Sequence, residues 1–337
     1  MVMYYAGLDV SLNETFISII DGDGAIIAEK SVATNVDDLS TYLKNISGTF
    51  KHIGIESGQL SIPLCKGLTQ QNLPVICVDA RHMATALSSR INKNDRNDAR
   101  GIAQMLRAGL YKKVQIKSDE MCELKLILGS RRQLVRAKLK LMGTIRGLLK
   151  IYGIKIGTKS QFCNKTRELI QPLSDFAKSP LEALLSCIEK NEKALKKLES
   201  KLIAMGKKDE DCKHLMTIPG VGIITSMTFK VTLDNPERFK HSESVGAYLG
   251  LTPRQYASGE VNRHGSISKV GSKECRSLLY EAAQSLLVNV KAPSKLKSWG
   301  LKLAKKKGNK KAFIAVARKL AVIMHRILID KKDFCDQ

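Results

Sequence analysis

Short apolar runs and amphipathic stretches alternate along the first hundred residues. The runs at residues 4–9, 14–21 and 25–32 predict three β-strands. Between the second and third runs, the DGDG sequence at residues 21–24 is typical of a tight turn between antiparallel strands. The pattern therefore predicts a three-stranded antiparallel meander.

Strands and helices alternate after this meander. Apolar runs at residues 52–56 and 75–78 predict two more strands, and the amphipathic residues 37–43 and 61–71 predict helices. A meander followed by alternating strands and helices indicates a mixed sheet flanked by helices. This is the element order of the ribonuclease H-like fold, in which the first and fourth strands are neighbours.

The middle of the chain has a helical pattern. Residues 97–110 predict a helix with Asn97 as its N-cap. Two heptad-like series follow, one at Leu124, Ile127, Leu134, Leu141, Ile145, Leu148 and Tyr152, the other at Leu181, Leu184, Ile188, Asn191, Leu195, Leu198 and Leu202. Asn191 is polar at a seam position, where it would fix the register. Two long helices separated by residues 153–180 fit a helical hairpin or a dimerising coiled coil, and an ordinary bundle within one subunit is the alternative.

The charge of the chain points to a polyanionic partner. The 56 Lys and Arg residues exceed the 32 Asp and Glu residues by 24, which favours nucleic acid. Residues 112–160 hold 13 basic and 3 acidic residues, and residues 291–332 hold 14 basic residues and one acid. The hydrophobic fraction of 43% excludes a disordered basic tail protein.

Composition also limits the compartment and the kinds of site. No run of 18 apolar residues is present, so we expect no membrane span, and the first residues lack the pattern of a signal peptide. The eight cysteines are widely spaced, which predicts free thiols in a reducing cytoplasm rather than a structural zinc. We expect a cytoplasmic protein.

Four acidic residues are placed as metal ligands would be. Asp9 and Glu56 end the first and fourth predicted strands, and Asp95 and Asp98 stand three residues apart near a predicted helix start. Converging carboxylates repel one another and need cations, and two Mg²⁺ ions about 4 Å apart are the usual arrangement for phosphodiester chemistry. Taken singly, each acid also fits a turn or a helix cap.

The sequences around these acids resemble a known signature. They are GLDVS at residues 7–11, IESG at 55–58 and KNDRNDA at 93–99, and they are similar to the DEDD motif of the insertion-sequence transposases related to the Piv DNA invertase. The resemblance implies a catalytic domain like that of the RuvC Holliday-junction resolvase, with Asp9, Glu56, Asp95 and Asp98 as Mg²⁺ ligands. Some members of this family are guided by a structured bridge RNA.

The C-terminal region carries two further motifs. The PGVG sequence at residues 219–222 resembles a helix-hairpin-helix turn, and it is also a common turn sequence. Residues 246–259 and 265–271 are similar to the transposase-specific domain of the same family, which implies that Ser258 is the nucleophile. From its spacing alone, Ser258 would be an ordinary loop serine.

Basic and aromatic residues surround Ser258. They are candidates for phosphate contacts and base stacking, or for an ordinary solvated surface. These nucleic-acid-binding candidates are Arg254, Tyr256, Arg263, Lys269, Lys273 and Arg276.

These observations predict an α/β plus α protein in three parts. We expect a RuvC-like DEDD catalytic domain at residues 1–111, a helical coiled-coil region at 112–208, and a mostly helical transposase domain with the serine at 209–337. The resemblance implies an insertion-sequence transposase or site-specific recombinase that acts on donor and target DNA as a dimer or tetramer, with Mg²⁺ and a guide RNA. It also implies a prokaryotic protein that associates with the nucleoid when it acts. The alternatives are a junction-resolving nuclease, which needs the acids but not Ser258, and a non-catalytic nucleic-acid-binding protein.

Overall fold

The computed structural model describes residues 3–88, 94–157, 161–258 and 261–336. Lys93 and Gly259, which belong to two of the motifs above, lie outside these ranges. The side chain of Ser258 is also outside the described part, although its backbone is described. The chain divides into two compact units, residues 1–117 and 118–337. The three-part division at 111 and 208 stays a prediction.

The first unit contains a mixed sheet. Its strands are β1 (Met3–Val10), β2 (Glu14–Ile20), β3 (Ile26–Ala33), β4 (Thr49–Glu56) and β5 (Val75–Val78), in the order β3-β2-β1-β4-β5. The β1–β2 and β2–β3 pairs are antiparallel, while β1–β4 and β4–β5 are parallel. The predicted meander and the predicted neighbourhood of the first and fourth strands are both present.

Helices cover both faces of this sheet. They are α1 (Val36–Lys44), α2 (Ser61–Gln70), α3 (Ala80–Leu87) and α4 (Asp95–Arg107). On one face, Leu39 of α1 and Leu64 of α2 pack in a buried cluster with Leu8 of the central strand β1. On the other face, Met83 of α3 and Ile102 of α4 belong to a separate buried cluster. Residues alternate between the two faces of a strand, so β1, β2 and β5 contribute apolar side chains to both clusters, while those of β3 and β4 belong to the first.

The turn between β2 and β3 is built by the predicted aspartate. Asp21 Oδ1 accepts hydrogen bonds from the backbone N–H groups of Asp23, Gly24 and Ala25 at 3.0, 2.8 and 2.9 Å. Gly24 has φ +94°, a left-handed conformation that glycine adopts without strain. This local chemistry explains why the sequence pattern located the turn correctly.

The start of α4 differs from the sequence-based prediction. The N-cap is Asn94, whose Oδ1 accepts the backbone N–H of Asn97 at 2.8 Å, so Asn97 itself lies inside the first turn. Both asparagines are competent caps. The helix extends to the earlier one because Arg96, in the added turn, binds Glu29 of β3. A contact distant in sequence therefore selects between two equivalent local signals.

The second unit is mostly helical. Its helices are α5 (Asp119–Leu149), α6 (Phe162–Ile170), α7 (Asp175–Lys208), α8 (Glu210–Met216), α9 (Ile223–Leu233), α10 (Glu243–Tyr248), α11 (Lys273–Val288), α12 (Lys295–Lys307) and α13 (Asn309–Asp330). A two-stranded antiparallel ribbon, β6 (Pro253–Ser258) and β7 (Val261–Ile267), interrupts them. None of the helices in the described ranges is long and apolar enough to cross a lipid bilayer.

The two heptad-bearing helices pack against each other. Arg131 of α5 pairs with Glu199 of α7 at 2.7 Å, and Lys138 pairs with Glu192 at 2.7 Å. The step from Arg131 to Lys138 runs seven residues forward along α5, while the step between their partners runs seven residues backward along α7. The two helices therefore run antiparallel within one chain. The buried Asn191 Oδ1 has no hydrogen-bond partner. The helical hairpin is present, and the coiled-coil geometry and pairing with a second chain stay predictions.

Candidate active site

Two glycines allow α4 to lie directly on the sheet. Gly7 of β1 and Gly54 of β4 are partners in the parallel register of these strands. A Cβ atom on Gly7 would lie 2.0 Å from the carbonyl oxygen of Ala99 and 2.6 Å from the backbone nitrogen of Ala103, while one on Gly54 would lie 2.7 Å from Cγ2 of Ile102. Any side chain at Gly7 would push the helix away, because the obstructing atoms are backbone.

The two strand acids lie on the face that α4 covers. Asp9 is two residues after Gly7, and Glu56 is two residues after Gly54. Side chains two residues apart on a strand point to the same face, so both acids share the face of the glycines. Both are partly buried. The carboxyl ends of β1 and β4 therefore present Asp9 and Glu56 next to each other.

The direction of α4 brings its first turn towards the same edge. Near its C-terminal end, Gln104 Nε2 donates to the carbonyl oxygen of Gly24 at 3.1 Å, and Arg107 donates to that of Gly22 at 3.2 Å. These glycines belong to the β2–β3 turn, which lies beside the start of β1 because β2 is antiparallel to β1. The N-terminal end of α4 consequently lies towards the other end of β1, where Asp9 is.

The two helix acids lie in that first turn. Asp95 is the first residue of α4, and Asp98 precedes Ala99, the residue that covers Gly7. Asp95 is exposed and Asp98 is partly buried. Residues three or four apart share a helix face, so Asp95 lies one turn before Ala99 on the sheet-facing side. The backbone thus carries all four predicted acids to one edge of the sheet.

The carboxylates are not gathered into a finished metal site. Within the described ranges, no group of three or more His, Cys, Asp and Glu side chains is close enough to hold a metal ion. The donor set consists of carboxylate oxygens, which is the set that Mg²⁺ prefers. The residues therefore fit this metal by chemistry and by backbone placement, and binding would require their side chains to draw together.

Sequence reasoning missed the glycines and Glu29. The glycines carry a repeated signal, because GLD at residues 7–9 and GIE at residues 54–56 both place a glycine two positions before the strand-end acid. Glu29 of β3 is bound by Arg96 and Arg100 of α4. Its only sequence signal is a charge within an apolar run, followed directly by the opposite charge of Lys30. Such a charge does not reveal its partners.

Ser258 is the last residue of β6. The backbone of Ser258 pairs with Val261 of β7, and Gln255 pairs with His264. The spacing alone predicted a loop serine, whereas the structure places its backbone at the end of a strand, directly before the ribbon turn. A strand end is a more constrained position than an open loop, because the cross-strand pairing fixes the backbone on its N-terminal side.

The residues around Ser258 are largely exposed. Arg254, Tyr256 and Arg263 are on the ribbon, and Tyr256, with 60% of its surface exposed, lies opposite Arg263 in the register. Lys269 is exposed in the loop after the ribbon, with φ +58°, and Lys273 begins α11. The ribbon therefore presents cations and one aromatic ring to solvent.

Arg276 is held within the chain. Its Nη1 donates to the carbonyl oxygens of Leu249 and Val270 at 3.0 and 2.5 Å. These bonds tie the segments before and after the ribbon to α11. Among the predicted phosphate-binding residues, Arg276 therefore also supports the position of the ribbon.

Two family models match the sequence. A model described as the transposase IS116/IS110/IS902 family matches residues 212–298, which include Ser258. A transposase model of the DEDD type from the IS110 group matches residues 6–154, which include all four acids. One model thus covers the four candidate acids, and the other covers Ser258.

Named relatives are similar to the chain over different lengths. The transposase for insertion sequence element IS1111A of Coxiella burnetii is 31% identical over 268 residues, which are 78% of this chain and 73% of that protein. A putative transposase, y4pF/y4sB, of Sinorhizobium fredii is 27% identical over 72% of this chain and 64% of its own length. The pilin gene-inverting protein of Moraxella lacunata is 30% identical over 36% of this chain and 37% of its own length.

Proposed function

Since this chain belongs to the IS116/IS110/IS902 family of transposases, we propose that it cleaves and rejoins DNA strands with a serine nucleophile in a metal-dependent reaction. One observation carries the proposal: the sheet and α4 bring Asp9, Glu56, Asp95 and Asp98 to one edge. The protein is a DNA transposase, and its net charge of +24 suits a polyanionic substrate.

The N-terminal unit is proposed to be RuvC-like. Its β3-β2-β1-β4-β5 order, with an antiparallel meander and two parallel strands, supports this assignment. So does the match of the DEDD model to residues 6–154. The acids at the ends of β1 and β4 and at the start of α4 are then the expected positions for the catalytic carboxylates of such a domain.

The four acids are proposed to hold Mg²⁺. When bound there, Mg²⁺ supplies activation of an attacking oxygen and stabilisation of a leaving oxygen. The partly buried Asp9, Glu56 and Asp98 have less water around them than exposed acids, so their mutual repulsion is less screened. This repulsion favours the uptake of a divalent cation at the edge.

Ser258 is proposed to be the nucleophile. Attack by its Oγ on a DNA phosphorus forms a phosphoserine ester and breaks one phosphodiester bond. The hydroxyl proton leaves Oγ, and the released strand end takes up a proton at its oxygen. The ester conserves the bond energy that rejoining to another strand requires. Arg254 and Arg263, exposed on the same ribbon, are proposed to bind the phosphate and offset its developing charge.

The remaining candidate residues are proposed to contact the nucleic-acid backbone and bases. Tyr256 presents an exposed ring for stacking, and Lys269 and Lys273 present charges for phosphates. Lysines 305–307 end α12 and lysines 310–311 begin α13, which concentrates cations at one turn. These groups add sequence-independent affinity.

A structured guide RNA and a second copy of the chain are proposed as partners. The family resemblance supports the RNA, and the excess of basic residues suits a polyanionic partner of either kind. Ribonuclease treatment of the purified complex should abolish site-specific cleavage.

Mixing Asp9→Asn protein with Ser258→Ala protein should restore activity if the acids and the serine are supplied by different subunits of an oligomer. A strictly monomeric active complex would contradict the oligomer proposal.

Single substitutions of the four acids test the metal-dependent reaction. Asp9→Asn, Glu56→Gln, Asp95→Asn and Asp98→Asn should each abolish cleavage of the element's DNA ends in Mg²⁺ while leaving the circular dichroism spectrum unchanged. Glu14→Gln is the matched control, because Glu14 is an exposed acid of β2 whose carboxylate accepts a hydrogen bond from Ser31. Wild-type cleavage by any of the four variants removes that residue from the site. Free DNA ends without a protein adduct would indicate a nuclease instead.

A further inference from the structure

One row of residues crosses the sheet beneath α4. Gly54 of β4 pairs with Gly7 of β1, Gly7 pairs with Ser18 of β2, and Ser18 pairs with Glu29 of β3. The backbone of α4 lies directly over Gly7, and the side chains of Ile102 and Leu106 lie over Gly54. The row ends in Glu29, whose carboxylate accepts the Ser18 hydroxyl at 3.2 Å and faces the same side.

Glu29 binds two arginines from successive turns of α4. Arg100 Nε and Nη2 donate to Oε1 and Oε2 at 2.5 and 2.8 Å, a bidentate pair, and Arg96 Nε donates to Oε2 at 2.8 Å. Only 9% of the Glu29 side chain is exposed, against 59% for Arg96 and 32% for Arg100. Bidentate pairs fix orientation as well as adding energy. The side chains of Arg96 and Arg100 therefore hold the first turns of α4 at a fixed position against β3.

These arginines are interleaved with the helix acids. Arg96 stands between Asp95 and Asp98, and Arg100 is two residues after Asp98. A rigid helix turn transmits the position of its arginines to its acids, because the backbone between them is hydrogen-bonded. With its other end bound to the β2–β3 turn through Gln104 and Arg107, α4 is fixed at both ends.

We propose that Glu29 is a positioning residue for catalysis, which sets the first turn of α4, and with it Asp95 and Asp98, against the strand acids. This inference rests on the proposed metal-binding role of the four acids. Glu29 does not compete for the metal, since two guanidinium groups already occupy its carboxylate. Its substitution therefore acts on metal affinity through the helix.

The carboxyl group of Glu29 is ionised at neutral pH. Hydrogen bonds from Arg100, and then from Arg96, hold the pKa of the Glu29 carboxyl at about 2, although burial alone would raise it. The ion pairs of Glu29 with Arg96 and Arg100, here called the Glu29 clamp, are therefore intact at neutral pH. The substitution of choice is one that removes the charge of Glu29 and keeps its shape.

The test measures Mg²⁺ binding directly as well as cleavage. In full-length protein, Glu29→Gln should raise the Mg²⁺ dissociation constant measured by calorimetry roughly tenfold, the lower end of the loss seen when a supporting partner of metal ligands is removed. Cleavage should recover when Mg²⁺ is raised in proportion. Arg96→Ala, an exposed substitution that leaves the Arg100 pair, should show a smaller shift in the same direction. The control Glu14→Gln should bind Mg²⁺ as the wild type does.

A charge reversal separates positioning from a loss of fold. Glu29→Arg should weaken Mg²⁺ binding, and adding Arg100→Glu should restore much of it by rebuilding the pair in reverse. Wild-type Mg²⁺ affinity in Glu29→Gln, or no recovery in the double variant, overturns the inference. Asp95→Asn and Asp98→Asn are measured beside them. If these two also bind Mg²⁺ like the wild type, the metal site itself is wrong; if they lose it while Glu29→Gln does not, only the positioning role fails.

Discussion

Gly7 and Gly54 lie opposite each other in the parallel pairing of β1 and β4, and α4 passes over both. The atoms that approach the two glycines differ in kind. Gly7 faces the backbone of Ala99 and Ala103, which cannot move without the helix, whereas Gly54 faces the side chains of Ile102 and Leu106, which can adjust. The two positions should therefore differ in their tolerance of a methyl group.

Alanine substitutions measure this difference. Gly7→Ala should reduce the free energy of unfolding by about 3 kcal/mol, and Gly54→Ala by about 1 kcal/mol, because overpacking against backbone is less easily relieved. Gly58→Ala is the control, since its Cβ would have only one neighbour, the Glu56 carbonyl oxygen at 3.9 Å, and should cost under about 0.5 kcal/mol. Urea unfolding of the three variants gives the order. Equal losses at Gly7 and Gly58 would show that α4 does not press on β1.

The sequence predicted the strands of the first unit because local signals determine them, whereas the neighbourhood of β1 and β4 was predicted from the element order of the ribonuclease H-like fold. Alternating apolar runs and the Asp21 turn need no distant partner to be recognised. The positions of Asp9 and Glu56 follow from the same pattern. The N-cap of α4 was predicted at Asn97 and lies at Asn94. The choice between the two asparagines depends on the contact of Arg96 with Glu29, which is far away in sequence.

The β6–β7 ribbon could not be predicted, for a different reason. The β6–β7 segment is polar and rich in residues that favour turns, so its strands have no apolar alternation to detect. Its cross-strand pairing alone places Ser258 at a strand end. The four acids could be named from the sequence, but their approach to one edge depends on two glycines and on the direction of α4.

Lys230 holds two carboxylates together at the start of α8. Its ammonium group lies 2.5 Å from Asp209 and 3.0 Å from Asp211, and 19% of its side chain is exposed. Burial alone would lower the pKa of Lys230, but hydrogen bonds to both aspartates raise it. Lys230→Met should therefore destabilise the protein by about 2 kcal/mol, because it leaves two neighbouring carboxylates with less compensation.

A second substitution checks the cause. Asp209→Asn in the Lys230→Met background should recover part of the lost stability, since it removes one of the two neighbouring charges and asparagine can still accept the backbone N–H of Cys212 at the start of α8. Lys213→Met is the control. Lys213 pairs with Glu210 on the surface of the same helix, where an ion pair contributes under about 1 kcal/mol. Thermal unfolding at neutral pH distinguishes the variants. An equal loss for Lys213→Met and Lys230→Met would remove the special role of the buried pair.

The Glu29 clamp predicts a pH dependence of stability. The pKa of Glu29 is lowered from 4.5 to about 2, chiefly by the hydrogen bonds from Arg100. The clamp therefore contributes its full stability above about pH 4.5, and the contribution is lost as the pH falls towards 2. The stability difference between the wild type and Glu29→Gln should be constant from pH 5 to 7 and should narrow at pH 3. A difference that instead grows on acidification would contradict this linkage.

Ser258→Ala is expected to separate binding from chemistry. The variant should lose all strand exchange and keep its affinity for DNA, because the 56 basic residues that dominate binding are unchanged. Its stability should change by under about 0.5 kcal/mol, since a single hydroxyl is removed and the neighbouring ribbon residues Arg254 and Tyr256 are exposed. Ser266→Ala, an exposed serine on the partner strand β7, is the control and should remain active.

A trapping assay identifies the nucleophile itself. Wild-type protein is incubated with end-labelled DNA and Mg²⁺, denatured and digested, and the labelled peptide is sequenced. Label on the peptide that contains Ser258, absent from Ser258→Ala and present in Ser266→Ala, supports the phosphoserine intermediate, because only a covalent ester survives denaturation. The competing mechanism is direct attack by water or by a DNA 3′-hydroxyl at the metal site. In that case DNA would be cut without any labelled peptide and Ser258→Ala would still cleave, which would exclude Ser258 as the nucleophile while leaving the roles of Asp9 and Glu56 intact.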